Sequence, residues 1–553
     1  MPRTTPWITT GTTPWPPELA ERYRREGYWQ GRPVTAWIAE RVAERPDQVA
    51  LVEGATRLSY RALWERAGAF AQYLLDHGLQ PGDRVVLQLP NCWEFAAVTL
   101  GCLRVGVVPV MALPAHRQHE LTHVAAKAGA RALVITQQHR QDDLRAVARQ
   151  VAGSVTSVAT ILVRGEPDAV AGGARMLRLA DAFTDSARLD DAAHAPIGAD
   201  VALMLLSGGT TGAPKLIVRT HDDYACNIRW CNEIGGIDER TVYMVVIPAA
   251  HNFPLGCPGW LGTLFAGGRV VMSTPSAETA LATMDAEQVT VTAVVPAVAQ
   301  TWIEHQRAHG TLRGHSLKVL EVGGSRMPDE LAPRVASVLG ATLQQVFGMA
   351  EGLINMTRLD DPEEAIHHTQ GRPVCPADEV RVVDAAGQDV PDGTPGALLT
   401  RGPYTPRGYF DEPEKNRQSF FDGWYASGDI VVRRADGNLI VAGRDKDMIL
   451  RGGENISAEE VESLAYQVDG IEMAAAVAMP DPVLEERVCL YATLKSGCDV
   501  TLQDVVRSMR ARGVAAFKIP ERLEIVEQLP MTKVGKIDKK QLRDDIRRRM
   551  AGN

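Results

Sequence analysis

The stretch Leu205–Leu216, LLSGGTTGAPKL, decides the fold prediction for this chain. It follows VALMLL, a run typical of a buried strand, and it collects Gly, Ser and Thr residues ahead of one lysine, Lys215. Glycines let backbone N–H groups close on an anion, and hydroxyls and an ammonium add donors, so the stretch favours a phosphate-binding loop. It is not a Walker A loop, because Pro214 precedes Lys215 and the following LIVRT indicates a second strand. Taken alone, the same residues also suit a plain hairpin turn.

Length and composition indicate a multidomain globular protein. The 553 residues exceed the roughly 250–300 at which a single core stops growing, so two or more domains are expected. A net charge of -9 argues against nucleic acid as a partner. The eight cysteines show no C-x-x-C or Cys/His ligand spacing, which indicates neither a zinc site nor a disulfide framework and fits a reducing cytoplasm. No apolar signal region and no run of about 18 apolar residues occurs, so no signal peptide and no membrane span are expected.

Strand-like and helix-like patterns alternate along most of the chain. TAWIAERVAERP, from residue 35, indicates an amphipathic helix that ends at Pro46, whereas GDRVVLQLP indicates a buried strand. This alternation predicts an α/β fold of stacked strands and helices. Near the C-terminus the polar segment GRDKD, Gly443–Asp447, interrupts two apolar strands and predicts a domain boundary.

Three apolar runs end in polar or glycine-rich segments that are candidates for a site. VYMVVIPAA runs into His251, Asn252 and Phe253, and LKVLEV ends at Gly323 and Gly324. A third run ends in GMAE with Glu351, a carboxylate of the kind that holds Mg²⁺ over phosphates. Taken alone, the His251 segment is better explained by a packed loop with a core histidine, and glycines that merely end strands are common.

Two C-terminal segments are more distinctive. Asp429 follows a Ser-Gly turn, and after a hairpin the chain continues through Gly443 and Arg444 to a Gly-Gly loop, residues 452–453, that is expected to open a helix. Lys536 follows Gly535 in a polar turn between a strand and a charged helix. A lysine in such a turn is usually a solvated surface group, but here it completes a composite pattern.

The ordered set SGGTTGAPK, GMAEG, YASGDI, GRDKDMILRGGENI and PMTKVGK resembles the adenylate-forming superfamily of acyl-CoA synthetases, luciferases and peptide-synthetase adenylation domains. Within it, the chain is most similar to the stand-alone aryl-acid AMP ligases that act on 2,3-dihydroxybenzoate or salicylate, which implies a place in siderophore or other nonribosomal natural-product biosynthesis. The resemblance extends from about Trp15 to Arg548. It implies a large N-terminal domain of stacked α/β subdomains (residues 1–442), a hinge (443–447) that pivots at Lys446, and a small mobile α+β domain (448–553).

The resemblance also implies roles for individual residues. Lys536, Glu351 and His251 would be catalytic, and Glu351 would hold Mg²⁺. ATP would be bound by Ser207, Gly208, Gly209, Thr210, Thr211, Lys215, Gly324, Val346, Gly348, Asp429 and Arg444. The aryl acid would lie among Asn252, Phe253, Cys257, Gly323, Ala350 and Ile354. ATP and Mg²⁺ are therefore the implied cofactors.

Asn252 and its neighbours narrow the expected substrate. Ligases for amino acids place an Asp at the position of Asn252 to pair with the substrate ammonium, and an amide cannot supply that charge. Asn252 suits an ortho-hydroxyl on an aromatic acid instead. Many dihydroxybenzoate ligases carry Tyr and Ser where this chain has Phe253 and Cys257, which favours salicylate. Gly256 could widen the slot for a substituted or bicyclic hydroxy acid.

Alternatives remain open for the identity of the thiol acceptor and for the activity itself. The chain has no carrier-like G-G-x-S segment, which fits transfer of the aryl group to the phosphopantetheine of a separate aryl carrier protein. An aryl-CoA ligase would differ only in using coenzyme A as the acceptor. A non-catalytic binder that keeps the nucleotide fold is disfavoured because Lys536, Asp429 and Glu351 are all present.

Overall fold

A computed structural model gives the fold of the chain. It describes residues 3, 5–168, 173–184, 189–206, 214–311, 316–444, 448–451, 454–481, 484–512, 514, 516–532 and 535–551. The predicted Ser207, Gly208, Gly209, Thr210, Thr211, Lys446 and the Gly-Gly loop at 452–453 lie outside these residues. Arg444 is described by its backbone alone.

The strands of the described residues are β1 (Val49–Glu53), β2 (Thr56–Ser59), β3 (Arg84–Gln88), β4 (Val108–Met111), β5 (Ala132–Thr136), β6 (Gln138–His139), β7 (Asp142–Asp143), β8 (Thr160–Arg164), β9 (Arg175–Arg178), β10 (Val201–Leu206), β11 (Leu216–Thr220), β12 (Val242–Val245), β13 (Arg269–Met272), β14 (Val291–Val294), β15 (Val319–Gly323), β16 (Thr342–Met349), β17 (Gly352–Met356), β18 (Arg372–Pro373), β19 (Glu379–Val383), β20 (Pro395–Arg401), β21 (Phe420–Phe421), β22 (Trp424–Arg433), β23 (Leu439–Arg444), β24 (Met448–Arg451), β25 (Glu454–Ser457), β26 (Ile471–Asp481), β27 (Glu485–Leu494) and β28 (Arg522–Ile525).

The helices are α1 (Pro17–Arg25), α2 (Thr35–Glu44), α3 (Tyr60–Asp76), α4 (Trp93–Arg104), α5 (Gln118–Ala128), α6 (Leu144–Ser154), α7 (Asp191–His194), α8 (His221–Gly235), α9 (Asn252–Gly256), α10 (Gly259–Ala266), α11 (Ala277–Glu287), α12 (Pro296–His309), α13 (Ala332–Arg334), α14 (Glu363–His368), α15 (Pro413–Ser419), α16 (Ala458–Ala465), α17 (Leu502–Ala511) and α18 (Lys539–Ala551). Among these helices, none combines the length and apolar composition that crossing a bilayer requires.

Two large sheets form the body of the N-terminal domain. The described strands give a nine-stranded sheet in the order β18-β17-β16-β15-β14-β12-β13-β1-β2 and a seven-stranded sheet in the order β11-β10-β4-β3-β5-β8-β9. Their central strands pair in parallel and are almost continuously apolar, since helices cover both faces of such sheets. The α/β fold with a large N-terminal domain is therefore confirmed.

The strands predicted before and after the Gly/Ser/Thr segment are also present. β10 and β11 pair antiparallel, with Leu206 opposite Leu216, so the Gly/Ser/Thr segment connects the two strands of a hairpin. β11 leads directly into α8, whose N-terminus is fixed by a capping box between Thr220 and Asp223. The hairpin thus positions the start of α8, a helix that contributes side chains to the candidate site.

A third sheet and a small C-terminal domain complete the chain. The third sheet has the order β19-β20-β22-β21, with β23 paired to β22. The fourth sheet, β25-β24-β27-β26 with β28 on β27, packs against α16, α17 and α18 around separate apolar clusters. This small α+β unit agrees with the expected fold.

Two local predictions concern glycine segments of the C-terminal part. The turn predicted before Asp429 is a bulge within β22: the Ser427 hydroxyl accepts from the Asp429 N–H (3.0 Å), Gly428 has a φ of +76°, and the pairing with β20 shifts register here. The Gly-Gly segment at 452–453 lies outside the described residues; the residues described around it form β24 and β25, which pair antiparallel, and α16 begins at Ala458.

Candidate active site

Lys536 reaches from the small domain to the large one. Its turn is closed by Thr532, whose N–H donates to the Lys536 carbonyl (2.6 Å) and whose hydroxyl accepts from the Lys536 N–H (3.1 Å). The side chain extends to the end of β15, where a Cβ on Gly324 would lie 3.6 Å from Lys536 Cε. Gly324 has a φ of +83°, so a larger residue there would strain the backbone as well as crowd the lysine.

The lysine side chain forms part of the lining of a narrow cavity of about 20 Å³. The cavity is lined by Leu113, Ile247, Pro248, His251, Phe253, Val295, Gly324 and Lys536. Residues that the sequence separates widely, including the predicted His251, Phe253 and Gly324, therefore meet at one point. Two further polar contacts join the domains: Gln300 Nε2 donates to the Glu472 carbonyl (3.3 Å), and Gln467 donates to the Glu330 carboxylate.

His251 is a neutral base in this arrangement. It precedes the short helix α9, and its Nδ1 accepts a hydrogen bond from the Phe253 N–H over 3.4 Å. Burial and the nearby Lys536 ammonium lower the pKa of His251 to about 4. At pH 7 the imidazole adds no positive charge, so Lys536 supplies the cationic charge at this point.

Asn252 and Cys257 lie together at the start and end of α9. Asn252 is buried; its Oδ1 accepts from the Tyr224 hydroxyl (3.0 Å) and its Nδ2 donates to Cys257 Sγ (3.3 Å). The contact between these two predicted substrate residues follows from their spacing across a single helical turn. Because the amide already has two partners, an ortho-hydroxyl on the substrate would add to the network rather than complete it.

Gly256 does not widen the slot. A Cβ at this position would lie 2.7 Å from the Tyr224 hydroxyl, so the space that the glycine leaves is filled by the Tyr224 ring. Asn227 on α8 fixes the same segment, since its Nδ2 donates to the Gly256 carbonyl over 2.6 Å. The expectation that Gly256 admits a larger ring is therefore wrong in this structure.

Gly323 and Gly348, which the sequence placed at the ends of strands, allow neighbouring side chains to pack closely against the backbone. Gly323 lies opposite Val346 in the parallel register, and a Cβ on Gly323 would lie 3.0 Å from the Phe253 ring. Gly348 lies opposite Ile354 in the antiparallel register, where a Cβ would meet the Ile354 side chain at 2.5 Å. These five residues form one wall in which the absent side chains leave room for Phe253 and Ile354.

Arg219 fixes the neighbouring segment and was missed by sequence reasoning. Its buried guanidinium bonds Asp223 (2.7 Å) and the Ala350 carbonyl (3.2 Å) and also reaches Asn227 and the Tyr404 carbonyl. The predicted residue Ala350 is thus held through its backbone. A charged residue inside the apolar run LIVRT is the signal that would have identified it.

Glu351 belongs to a second cluster of aromatic and charged groups. Its Oε1 accepts a hydrogen bond from the Tyr409 hydroxyl (2.9 Å), which lies 3.2 Å from the Tyr425 hydroxyl. Lys215 Nζ lies 4.3 Å from the centroid of the Tyr409 ring. Glu351 and Lys215, both predicted, are therefore bridged by Tyr409, which no motif had indicated.

Asp429 lies beside the same cluster. The residue is 3% exposed. The pKa of Tyr425 is raised mainly by burial, with further contributions from the charges of Glu351 and Asp429. The backbones of Asp429 and Arg444 face each other across the β22–β23 pair. The predicted nucleotide residues Lys215, Glu351 and Asp429 thus surround two tyrosines, close to the carboxyl ends of the parallel strands where ligands bind in α/β sheets.

The fold and the site define a two-domain adenylate-forming protein, with a lysine of the small domain inserted beside the large domain. The family of AMP-binding enzymes matches residues 38–410, and the C-terminal domain of AMP-binding enzymes matches residues 460–536. The chain belongs to the AMP-binding enzyme family, and the predicted resemblance to adenylate-forming ligases is confirmed.

Relatives and one solved structure align over nearly the whole chain. A "Salicylyl-CoA synthase / salicylate adenylyltransferase" of Streptomyces sp is 52% identical over 97% of this chain and 98% of its own length. A "2-hydroxy-7-methoxy-5-methyl-1-naphthoate--CoA ligase" of Streptomyces carzinostaticus is 49% identical over 96% of both chains. The apo structure of MbtA from Mycobacterium smegmatis superposes with a TM-score of 0.74 at 43% identity, over 97% of this chain and 98% of that one.

Proposed function

We propose that this enzyme activates a 2-hydroxyaryl carboxylic acid of the salicylate type with ATP and then transfers the aryl group to a thiol. An oxygen of the carboxylate attacks the α-phosphorus of ATP, the bond to pyrophosphate breaks, and pyrophosphate leaves. The thiol then loses its proton to solvent and its sulfur attacks the acyl carbon of the aryl adenylate; the bond between that carbon and the phosphate oxygen breaks, and AMP leaves. The observation that carries the proposal is the position of Lys536, whose side chain lies beside both Gly324 and the aryl wall at Phe253.

The chain's own residues supply positioning and charge. Lys536 neutralises the negative charge shared by the carboxylate and the α-phosphate, because a cation in a closed site acts strongly on developing charge. His251 is neutral at pH 7 and offers hydrogen bonds without repelling Lys536 further. Asp429 accepts hydrogen bonds from the ribose hydroxyls, and Lys215, with Ser207–Thr211, holds the terminal phosphates.

Glu351 would hold Mg²⁺. The described residues contain no group of three His, Cys, Asp or Glu side chains suited to a metal. Mg²⁺ in nucleotide sites, however, takes one or two carboxylates together with phosphate oxygens and water, so the single carboxylate of Glu351 fits it. When bound, the ion would neutralise charge on the phosphates, while Tyr409 holds the carboxylate in place through Oε1.

The residues around the aryl slot favour a substrate that has no polar group near Cys257. Asn252 is neutral, so it offers no ion pair to an α-ammonium group. Cys257 Sγ already accepts from Asn252, and a thiol is a weak hydrogen-bonding group. A 3-hydroxyl on the ring would therefore find a poor partner there, which favours salicylate over 2,3-dihydroxybenzoate.

The acceptor is proposed to be the phosphopantetheine of an aryl carrier protein. Coenzyme A is the second candidate, because the two Streptomyces relatives at 52% and 49% identity are both named for CoA thioesters. For either acceptor, residues 448–553 would rotate about Lys446 after adenylation, with residues 1–442 as the fixed domain and 443–447 as the hinge. Withdrawal of Lys536 would then widen the cavity that its side chain now lines.

ATP–pyrophosphate exchange over a panel of aryl acids tests the first half-reaction. We expect exchange with salicylate and little with α-amino acids, and exchange with amino acids alone would refute the proposal. The second half-reaction is tested by adding coenzyme A or a phosphopantetheinylated carrier protein to the enzyme with its adenylate. Mass spectrometry of the resulting thioester identifies the acceptor.

A further inference from the structure

Asn416 bonds both backbone polar groups of Tyr409. It lies on α15, where its Oδ1 accepts from the Tyr409 N–H (2.8 Å) and its Nδ2 donates to the Tyr409 carbonyl (2.9 Å). One carboxamide supplies an acceptor and a donor, so it can pair with the N–H and the C=O of a single residue. Asn416 thus holds Tyr409 as a residue of a neighbouring strand would.

The opposite edge of Tyr409 faces β11. Tyr409 is bridged antiparallel to Ile217, and the Phe410 N–H donates to the Leu216 carbonyl over 2.9 Å. In this pattern the hydrogen bonds belong to the residues beside the bridged pair, so the N–H and C=O of Tyr409 itself point away from β11. These are the two groups that Asn416 binds. Tyr409 therefore lies between β11 and Asn416 like a residue of a central strand.

The neighbouring backbone is shaped for this contact. A Cβ on Gly408 would lie 2.8 Å from Asn416 Nδ2 and 2.5 Å from Thr13 Oγ1, so a side chain at position 408 would displace the amide. Further along, the Asp411 N–H donates to the Gly11 carbonyl over 2.7 Å. The N-terminal residues Gly11 and Thr13 therefore pack against the same segment that Asn416 holds.

The side chain of Tyr409 meets three groups of the candidate nucleotide site. Its hydroxyl donates to Glu351 Oε1 (2.9 Å) and lies 3.2 Å from the Tyr425 hydroxyl, and Lys215 Nζ lies 4.3 Å from the centroid of its ring. Tyr409 is 2% exposed, and in a closely packed interior a ring has few alternative positions once its backbone is fixed. The backbone position of Tyr409 thus sets both the hydroxyl that orients Glu351 and the ring face that meets Lys215.

We propose that Asn416 is a positioning residue for the nucleotide: it fixes Tyr409, and through it orients Glu351 and Lys215 before ATP binds. This inference rests on the proposed function, in which Glu351 and Lys215 serve Mg²⁺ and the terminal phosphates. Loss of Asn416 should therefore weaken binding at the phosphate end of ATP and leave the aryl slot on α9 unchanged.

The test compares Asn416→Ala and Asn416→Asp with the wild type. Isothermal titration calorimetry gives the Kd of ATP with Mg²⁺ and the Kd of AMP, and ATP–pyrophosphate exchange gives KM for ATP and for the best aryl acid of the panel. In Asn416→Ala we expect Kd and KM for ATP to rise by roughly tenfold, the effect of one or two lost hydrogen bonds. The Kd of AMP, which has no β- or γ-phosphate, and KM for the acid should stay within about twofold. Asn416→Asp keeps an acceptor for the Tyr409 N–H and should lie between the wild type and Asn416→Ala.

Gln48→Ala is the matched control. Gln48 is also half-buried, and its amide accepts from Arg45 (3.4 Å) and donates to the Gly267 carbonyl (3.0 Å) in another part of the large domain. It should leave all four constants within about twofold. A loss of folded protein lowers kcat but not the affinity of the molecules that remain folded, so it does not imitate the expected change.

An unchanged Kd for ATP in Asn416→Ala would overturn the inference. Equal increases in Kd for ATP and AMP would overturn it as well, because the effect would then not be confined to the phosphate end. Failure of the wild type to bind ATP, or to exchange pyrophosphate with any aryl acid, would instead refute the proposed function.

Discussion

Asn252 donates a hydrogen bond from its side-chain nitrogen to the sulfur of Cys257, with 3.3 Å between Nδ2 and Sγ. The Asn252 oxygen is held at the same time by Tyr224. Both ends of the amide are thus oriented before any substrate arrives, and the orientation depends on which atom stands at position 257. A substitution there changes the polarity of the slot and the hydrogen bonding of Asn252 together.

Cys257→Ser should shift selectivity toward 2,3-dihydroxybenzoate. A hydroxyl donates and accepts more strongly than a thiol, and satisfying a buried 3-hydroxyl is worth about 1–3 kcal/mol, roughly five- to 150-fold in selectivity. The measurement is the ratio of kcat/KM for salicylate and the dihydroxy acid in each enzyme. Cys375→Ser, at another buried cysteine, is the control. A wild-type enzyme that already prefers the dihydroxy acid would contradict the argument.

Lys536→Ala should depress adenylation by several hundred-fold or more. A positive charge directed at the negative charge that develops in the transition state stabilises it by about 3–4 kcal/mol. Thioester formation from supplied aryl adenylate should fall much less, because Lys536 would be withdrawn in that step. Lys495→Ala, an exposed lysine of the same domain, is the control and should leave both rates unchanged. Equal loss of both half-reactions would exclude separate arrangements for the two steps.

Proline at Lys446 should retain adenylation and abolish transfer to the thiol. A pyrrolidine ring fixes φ near -65° and prevents the large dihedral change that rotation of the small domain requires. Single-turnover measurements separate the two steps. Normal overall turnover in Lys446→Pro would show that the pivot lies elsewhere.

Arg219→Met should destabilise the protein by about 3–5 kcal/mol, because it leaves the buried Asp223 without its cation and removes the support of the Ala350 carbonyl. Arg240→Met is the matched control: Arg240 pairs with Asp238 at the surface, where a salt bridge is worth about 1 kcal/mol or less. Urea unfolding of both variants measures the difference. Similar losses in the two variants would contradict a structural role for Arg219.

His221 should make stability fall in acid. Burial lowers its pKa to about 4 from the ordinary 6.5, and its Nδ1 accepts from the Val34 N–H. Between these pH values the unfolded chain binds a proton that the folded chain does not, so the free energy of unfolding falls as pH drops from 6.5 to 4, by up to about 3 kcal/mol. His221→Asn keeps an acceptor but does not titrate. The difference in the free energy of unfolding between the wild type and His221→Asn should therefore narrow from pH 7 to pH 4. A constant difference would contradict the lowered pKa of His221.

The sequence predicted those features that depend on neighbouring residues. The strands on either side of the Gly/Ser/Thr segment, the turn that carries Lys536 and the closeness of Asn252 to Cys257 all follow from local patterns. The hydrogen bonds of Tyr409 with Glu351 and with Tyr425 could not be predicted, because they join side chains from different parts of the chain. The segment PYTPRGYF carries no local sign of such a role, and the motif YASGDI contains Tyr425 but does not show what its hydroxyl contacts.

Arg219 and Glu321 are a different case. Each is a charged residue in an otherwise apolar strand, and a buried charge is costly unless it has a partner. A charged residue in an apolar strand can therefore be recognised from the sequence as needing a partner, but the sequence does not identify that partner. Asp223 could be guessed from its spacing of four residues, whereas Tyr243 is brought to Glu321 by the order of β12, β14 and β15 in the sheet.

The lowered pKa of His251 has a consequence for following the enzyme in solution. Part of the shift comes from the Lys536 ammonium, so the titration of this ring reports how near the lysine is. If the small domain withdraws Lys536, the ring should become more basic, and its carbon-bound protons should titrate at higher pH in an NMR experiment. The coupling is reciprocal: protonating His251 in acid would repel Lys536 and weaken the closed arrangement. One imidazole thus provides an intrinsic indicator of domain position that needs no attached label.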